Sequence, residues 1–191
     1  SITLLAVGAG PTSAGSALTV SDRERQIESV VARMPLEEKV GQMLMTTVSG
    51  RTLSPANQKV LNRCRPGGVI LYKSNFVSVE QTIRLIEQIQ DASRVPLLIA
   101  ADQEGGRVVR ISCGTDLPSS MSLGAARSPE NAYRCGLIAG KEMKALGINV
   151  NLAPMLDLNT RPGRSPVGTR SYGSDPLLAS GLGTAYLNGL R

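Results

Sequence analysis

The run Leu97-Leu98-Ile99-Ala100-Ala101 is too uniformly apolar for a strand with one wet face, and it breaks at once into Asp102-Gln103-Glu104-Gly105-Gly106-Arg107. With Pro96 ahead and the glycine pair behind, it predicts a short strand buried on both faces. Such strands belong to parallel sheets covered by helices, so the run restricts the chain to an α/β architecture. In these architectures ligands bind beyond the C-terminal ends of the strands, where loops vary without disturbing the packed layers. Asp102, Glu104, Arg107 and Arg110 are all delivered to that end. Gly105 and Gly106 permit a sharp turn or a close approach to the main chain, neither of which a Cβ allows.

The rest of the chain reads as further strand and helix units. Ser21-Asp22-Arg23-Glu24 has the form of a capping box ahead of Ile27, Val30, Val31 and Met34 at helical spacing. Pro35 suits the first turn of another helix, and Gln42-Met43-Leu44-Met45 is apolar enough for a first buried strand. Pro66-Gly67-Gly68 leads into a second strand through Val69 to Tyr72, and Ser78 caps a helix with Val79, Ile83, Ile86 and Ile89 on one face. A helix opening at Ser128-Pro129-Glu130 runs to Leu146 and stops at Gly147. Residues 148–154 form a fourth strand, and Asp175-Pro176 starts a last helix carrying Leu178, Leu182 and Ala185.

Alternation of this kind indicates right-handed βαβ units and a parallel sheet. A closed barrel takes eight strands and roughly 250 residues. The expected fold is therefore α/β, with parallel (β/α) units over 21–191 forming about the first half of a TIM-type (β/α)8 barrel, truncated after the fourth unit. Two segments, 102–127 and 153–174, are longer than packing needs, and both follow strand C-termini.

Composition removes several function classes. The charge of +6 is spread evenly, with 11 basic and 8 acidic residues in 1–101 and 10 and 7 in 102–191. Without a basic run, with no Trp and only one Phe and four Tyr to stack on bases, a nucleic-acid role has no support. Cys64, Cys113 and Cys135 lie far apart and there is no histidine, which argues against a metal site and for buried, inert thiols. Residues 1–20 combine a short apolar stretch with Gly15-Ser16-Ala17, the pattern of the tail of a secretory signal peptide; the stretch is too short to span a bilayer. A secreted or extracytoplasmic location is expected. Val7-Gly8-Ala9-Gly10-Pro11 does not qualify as a dinucleotide fingerprint, because Ser13 holds the third glycine position and no amphipathic helix follows.

Carboxylates beside arginines suit hydroxyl-rich ligands, since each hydroxyl both donates and accepts and can be held from two sides. The alternative for the same residues is a structural ion pair closing the loop, the favoured reading for Glu104 with Arg107. In the second long segment, Asp157 and Asn159 read mainly as loop-internal hydrogen-bonding groups.

Four motifs, in order, resemble glycoside hydrolase family 3 in its β-N-acetylglucosaminidase branch. They are the entry segment from Met34 to Met45, Asp102-Gln103-Glu104-Gly105-Gly106-Arg107-Val108, the run from Asn151 to Asn159, and the run from Pro166 to Pro176 that contains Arg170. Leu117 to Ala125 also resembles the family and is expected to shape the loop. The resemblance implies a retaining β-N-acetylhexosaminidase acting on terminal N-acetylglucosamine, in cell-wall or related glycans, with no metal or organic cofactor. It assigns substrate binding to Asp102, Arg110 and Arg170, with Glu104, Arg107 and Asp157 behind them. It also implies that the catalytic aspartate nucleophile and histidine acid/base lie beyond Arg191, so the chain by itself is expected to be inactive. A non-catalytic carbohydrate-binding fragment is the alternative.

Overall fold

The computed structural model describes residues 20–161, 163 and 165–191. The signal-like stretch and the rejected fingerprint lie outside these residues. Contacts divide the chain into two units, Ser1–Pro35 and Leu36–Arg191.

In the first unit, helix α1 spans Val20–Arg33. Ser21 stands inside its first turn, so it does not cap the helix as expected; Asp22 instead places an acid where the helix dipole favours one.

The second unit contains helices α2 (Leu36–Gln42), α3 (Pro55–Cys64), α4 (Val79–Asp91), α5 (Ser120–Ala126), α6 (Pro129–Leu146) and α7 (Pro176–Leu190). Its strands are β1 (Met45–Thr47), β2 (Gly68–Leu71), β3 (Leu98–Ala101) and β4 (Val150–Asn151). They form one parallel sheet in the order β1-β2-β3-β4. This is the expected α/β architecture, with consecutive parallel strands linked by crossovers that carry helices. Among the described residues, no helix is long and apolar enough to cross a membrane.

Local signals place the longer helices. Ser78 Oγ accepts from the Gln81 amide, Ser128 Oγ from the Asn131 amide, and Asp175 from those of Leu177 and Leu178. Each satisfies an amide that the helix leaves unpaired. Gly147 closes α6 in the left-handed conformation, at φ 86°.

Three strand expectations need correction. The first strand lies later than Gln42–Met45, because α2 continues to Gln42 and turns through Met43 and Leu44, whose amides bond back to Val40 and Gly41. Met43 is consequently 84% exposed. The central strand is not buried on both faces at its start: Leu98 is 52% exposed, pointing opposite to Ile99, which packs against the helices. The fourth strand shrinks to two residues. Asn149 and Asn151 use their side-chain oxygens to accept from the amides of Ile99 and Gln103, in place of regular ladder bonds.

One core packs Val69, Leu71, Ile99 and Ala101 of the sheet against Leu85, Ile86 and Ile89 of α4 and Met143 and Leu146 of α6. A second joins α6 to α7 through Ala132, Ala139, Leu182 and Tyr186, and reaches Leu117, Leu123 and Tyr172. The α6–α7 contact is close because Gly136 lies against the Tyr186 carbonyl and Gly189 against the Tyr133 carbonyl, each where a Cβ would collide. This second core thus takes in residues of both long segments.

The thiols depart from expectation. Cys64 and Cys113 are exposed, one ending α3 and the other on the turn after Ile111, and only Cys135 is buried, on α6. Burial pushes its thiol pKa up.

Candidate functional site

β3 ends at Ala101, and the chain then folds back on itself. The Glu104 and Gly105 amides both donate to the Val108 carbonyl, and the Val108 amide donates to Gly105. Gly105 and Gly106 both take positive φ, 91° and 57°, which L side chains rarely adopt. A Cβ on Gly105 would also sit 2.5 Å from the Pro118 carbonyl oxygen. The Gly106 amide donates to the Leu117 carbonyl, so the segment ahead of α5 braces this turn.

The turn brings Arg110 back to Asp102. Arg110 Nε and Nη2 donate to the same Asp102 oxygen at 3.0 and 2.8 Å, both side chains being half-buried. The Tyr72 ring, just past β2, lies 5.7 Å from the guanidinium carbon, a cation–π distance. Arg110 is thus held along one edge and over one face.

Glu104 does not pair with Arg107, as its proximity in sequence suggested. Arg170, in the second long segment, donates from Nε to Glu104 Oε2 at 2.9 Å and from Nη2 to Oε1 at 2.6 Å. This is the bidentate fork that guanidinium and carboxylate geometry favours. The Glu104 side chain is 3% exposed and that of Arg170 35%. The Glu104 hydrogen bond, chiefly, raises the Arg170 pKa; Asp102 and Asp157 add to it through charge, so all three carboxylates act on one guanidinium. Arg107 is exposed and has no ion pair among the described residues.

The second segment is stapled by Ser171, fully buried, whose hydroxyl donates to the Asp157 carbonyl at 2.7 Å. The same hydroxyl oxygen lies within bonding distance of Gly173. The Asn159 amide donates to the Gly173 carbonyl, while its buried side-chain Oδ1, expected to bond within the loop, has no partner among the described residues. Asp157 itself is exposed and faces the charge of Arg170.

Sequence reasoning missed three residues beneath these pairs: Gln103, Asn151 and Tyr186. Asn151 and Tyr186 bond the main chain of Gln103, whose buried side chain bonds the main chain of Arg110 and Ile111. The available signal was an amide between two acids, which strand alternation turns away from them.

Two salt-bridged arginines therefore stand over the C-terminal ends of the strands. On each, Nε and Nη2 are engaged, and Nη1 has no partner among the described residues. No group of three His, Cys, Asp or Glu side chains among the described residues could hold a metal ion.

The family model described as the N-terminal domain of glycosyl hydrolase family 3 matches residues 35–191. The chain belongs to that family. The match covers the whole second structural unit, Leu36–Arg191, and so takes in both arginine pairs. A family 3 β-N-acetylglucosaminidase structure from Paenibacillus sp. FPU-7 superposes with a TM-score of 0.79 at 40% identity, over 82% of this chain and 31% of that one. NagZ from Neisseria gonorrhoeae, solved with N-trifluoroacetyl-D-glucosamine, gives 0.71 at 32% identity, over 77% and 46%. Beta-hexosaminidase A of Pseudoalteromonas piscicida is 38% identical over 146 residues, 71% of this chain and 24% of the relative. Beta-hexosaminidase of Xylella fastidiosa is 36% identical over 156 residues, 78% and 46%. The chain spans less than half the length of these curated relatives.

Proposed function

We propose that this chain carries the sugar-binding loops of a retaining β-N-acetylhexosaminidase, with terminal β-linked N-acetylglucosamine as substrate. The observation that carries the reading is the pair of pinned guanidinium groups, each offering Nη1 to a ligand, on strand ends of a family 3 domain whose relatives are named beta-hexosaminidases. Asp102 and Arg110 act as one acceptor–donor edge for adjacent sugar hydroxyls, and Arg170 supplies a second donor opposite. Asp157, exposed beside Arg170, is a further acceptor at the rim.

A retaining mechanism needs a nucleophile and an acid/base on either side of the glycosidic bond. The sequence contains no histidine, and Asp102 and Glu104 are both committed to arginines. The family resemblance assigns these two roles to an aspartate and a histidine outside these 191 residues, and that assignment is part of the same proposal. An extracytoplasmic location, supported by the composition of residues 1–20, belongs to the same proposal.

The test is kinetic, in the full-length parent. Asp102→Ala and Arg170→Ala should each lower kcat/KM on an aryl N-acetylglucosaminide by about 10- to 100-fold, the scale of one lost charge-assisted hydrogen bond. Wild-type kinetics in both variants would overturn the proposal.

A further inference from the structure

Gln103 lies between the two acidic residues of the site and is fully buried. Its side-chain oxygen accepts from the amides of Arg110 at 3.0 Å and Ile111 at 3.1 Å, closing the turn that returns Arg110 to Asp102. Because one oxygen takes both amides, the side-chain orientation is set: only Oε1 can accept, and Nε2 is left with no partner among the described residues.

Gln103 is in turn fixed through its own main chain. Its amide donates to Asn151 Oδ1 at 3.1 Å, while its carbonyl accepts from Asn151 Nδ2 at 3.2 Å and the Tyr186 hydroxyl at 3.1 Å. Asn151 belongs to β4 and Tyr186 to α7, so three separate elements meet at this residue. A continuous polar path runs from the α6–α7 core through Gln103 to the main chain of Arg110.

We propose that Gln103 is a positioning residue for sugar recognition, holding the Arg110 main chain where its guanidinium meets both Asp102 and the face of Tyr72. The proposal rests on the sugar-binding reading above, with Arg110 as the group that touches the ligand. Gln103 itself is sealed from solvent and acts only through Arg110. Residues 102 and 110 are joined by a turn built on two glycines, whose backbone is intrinsically permissive. Main-chain bonds to Val108 and Leu117 fix the tip of that turn, and the two bonds to the buried Gln103 oxygen fix the returning residues 110 and 111.

The experiment combines residue-resolved amide exchange with N-acetylglucosamine titration on the 191-residue chain. The variants are Gln103→Leu, Gln103→Met, Arg110→Ala and the Gln103→Leu/Arg110→Ala double. In Gln103→Leu the Arg110 and Ile111 amides should exchange about tenfold faster or more, while α6 amides keep their protection. Sugar Kd should rise about fivefold or more. Gln103→Met keeps the length of the side chain without the acceptor or a buried charge, and should reproduce both effects. The double variant should bind no more weakly than Arg110→Ala, since Gln103 acts through Arg110.

Unchanged exchange at residues 110 and 111 in a folded Gln103→Leu would overturn the proposal, as would additive losses in the double variant. Should Gln103→Leu lose α6 protection and fail to fold, Gln103→Met decides: faster exchange at residues 110 and 111 with α6 protected and weaker binding supports the proposal, whereas unchanged exchange, or loss of α6 protection in this variant too, overturns it. Should the wild-type chain not bind the sugar, the recognition proposal falls together with the sugar-binding reading. Changed exchange would then show only that Gln103 orders the turn. Wild-type binding with a silent Gln103→Leu would remove the proposal and leave the sugar-binding reading standing.

Discussion

Replacing Glu104 by alanine removes both acceptors of the Arg170 fork at once. The bonds are 2.9 and 2.6 Å, and the carboxylate is 3% exposed, so little solvent competes for it in the native state. Hydrogen bonds to charged groups contribute about 1.5–3 kcal/mol, and breaking a fully buried ion pair costs about 3–5 kcal/mol. Arg170 is a third exposed, so water partly takes over its donors when the carboxylate leaves. The net loss should therefore fall near the lower figures, at about 2–3 kcal/mol. For a domain of this size that is about 4–12 °C in Tm, measurable by calorimetry. Arg170→Met should cost a similar amount, because it leaves the Glu104 carboxylate buried without its partner. The double variant should cost markedly less than the sum of the two singles. A Tm change in Glu104→Ala within about 1 °C, or strict additivity in the cycle, would refute this reasoning. The same variant should also weaken sugar binding through the freed Arg170, which gives Glu104 more weight than a solvated loop acid would carry.

Two further outcomes follow from the second core. Burial raises Tyr172 to about 12 and Tyr186 higher still, so folded phenols hold protons that the unfolded chain releases near pH 10. Their contribution is fully present below pH 10 and is lost as pH rises towards 12; urea midpoints should fall over that window, and less steeply in Tyr172→Phe. Gly136→Ala and Gly189→Ala should each destabilise by about 1–3 kcal/mol by urea melts despite a better helix propensity, because the new methyl meets a main-chain carbonyl across the α6–α7 contact.

Features with a local cause were legible in the sequence. Ser78, Ser128, Gly147 and Asp175 mark helix ends through bonds to residues at most five positions away, and all four hold in the structure. The central strand was legible because its apolar run is continuous, although Leu98 shows that such a run does not by itself cover both faces. α3 gave little signal, since Pro55–Cys64 has few apolar residues and only Leu61 is buried. Asn149 and Asn151 read as strand residues, yet their side chains take over ladder bonds and shorten β4. The Glu104–Arg170 pair joins residues 66 positions apart, a tertiary choice that no spacing rule reveals against the nearby Arg107. Asp102 and Arg110 were singled out by the family resemblance, and their mutual ion pair is the alternative that the sequence left open.

Titrating the isotope-labelled 191-residue chain with N-acetylglucosamine, while following amide and arginine side-chain resonances, tests sugar recognition by the two arginine pairs most directly. Saturable shifts should appear at Asp102, Arg110, Asp157 and Arg170, with the Nη1 groups moving most, and should vanish in Asp102→Ala. Absence of saturable shifts at these residues, or an unaltered titration in Asp102→Ala, would contradict the account.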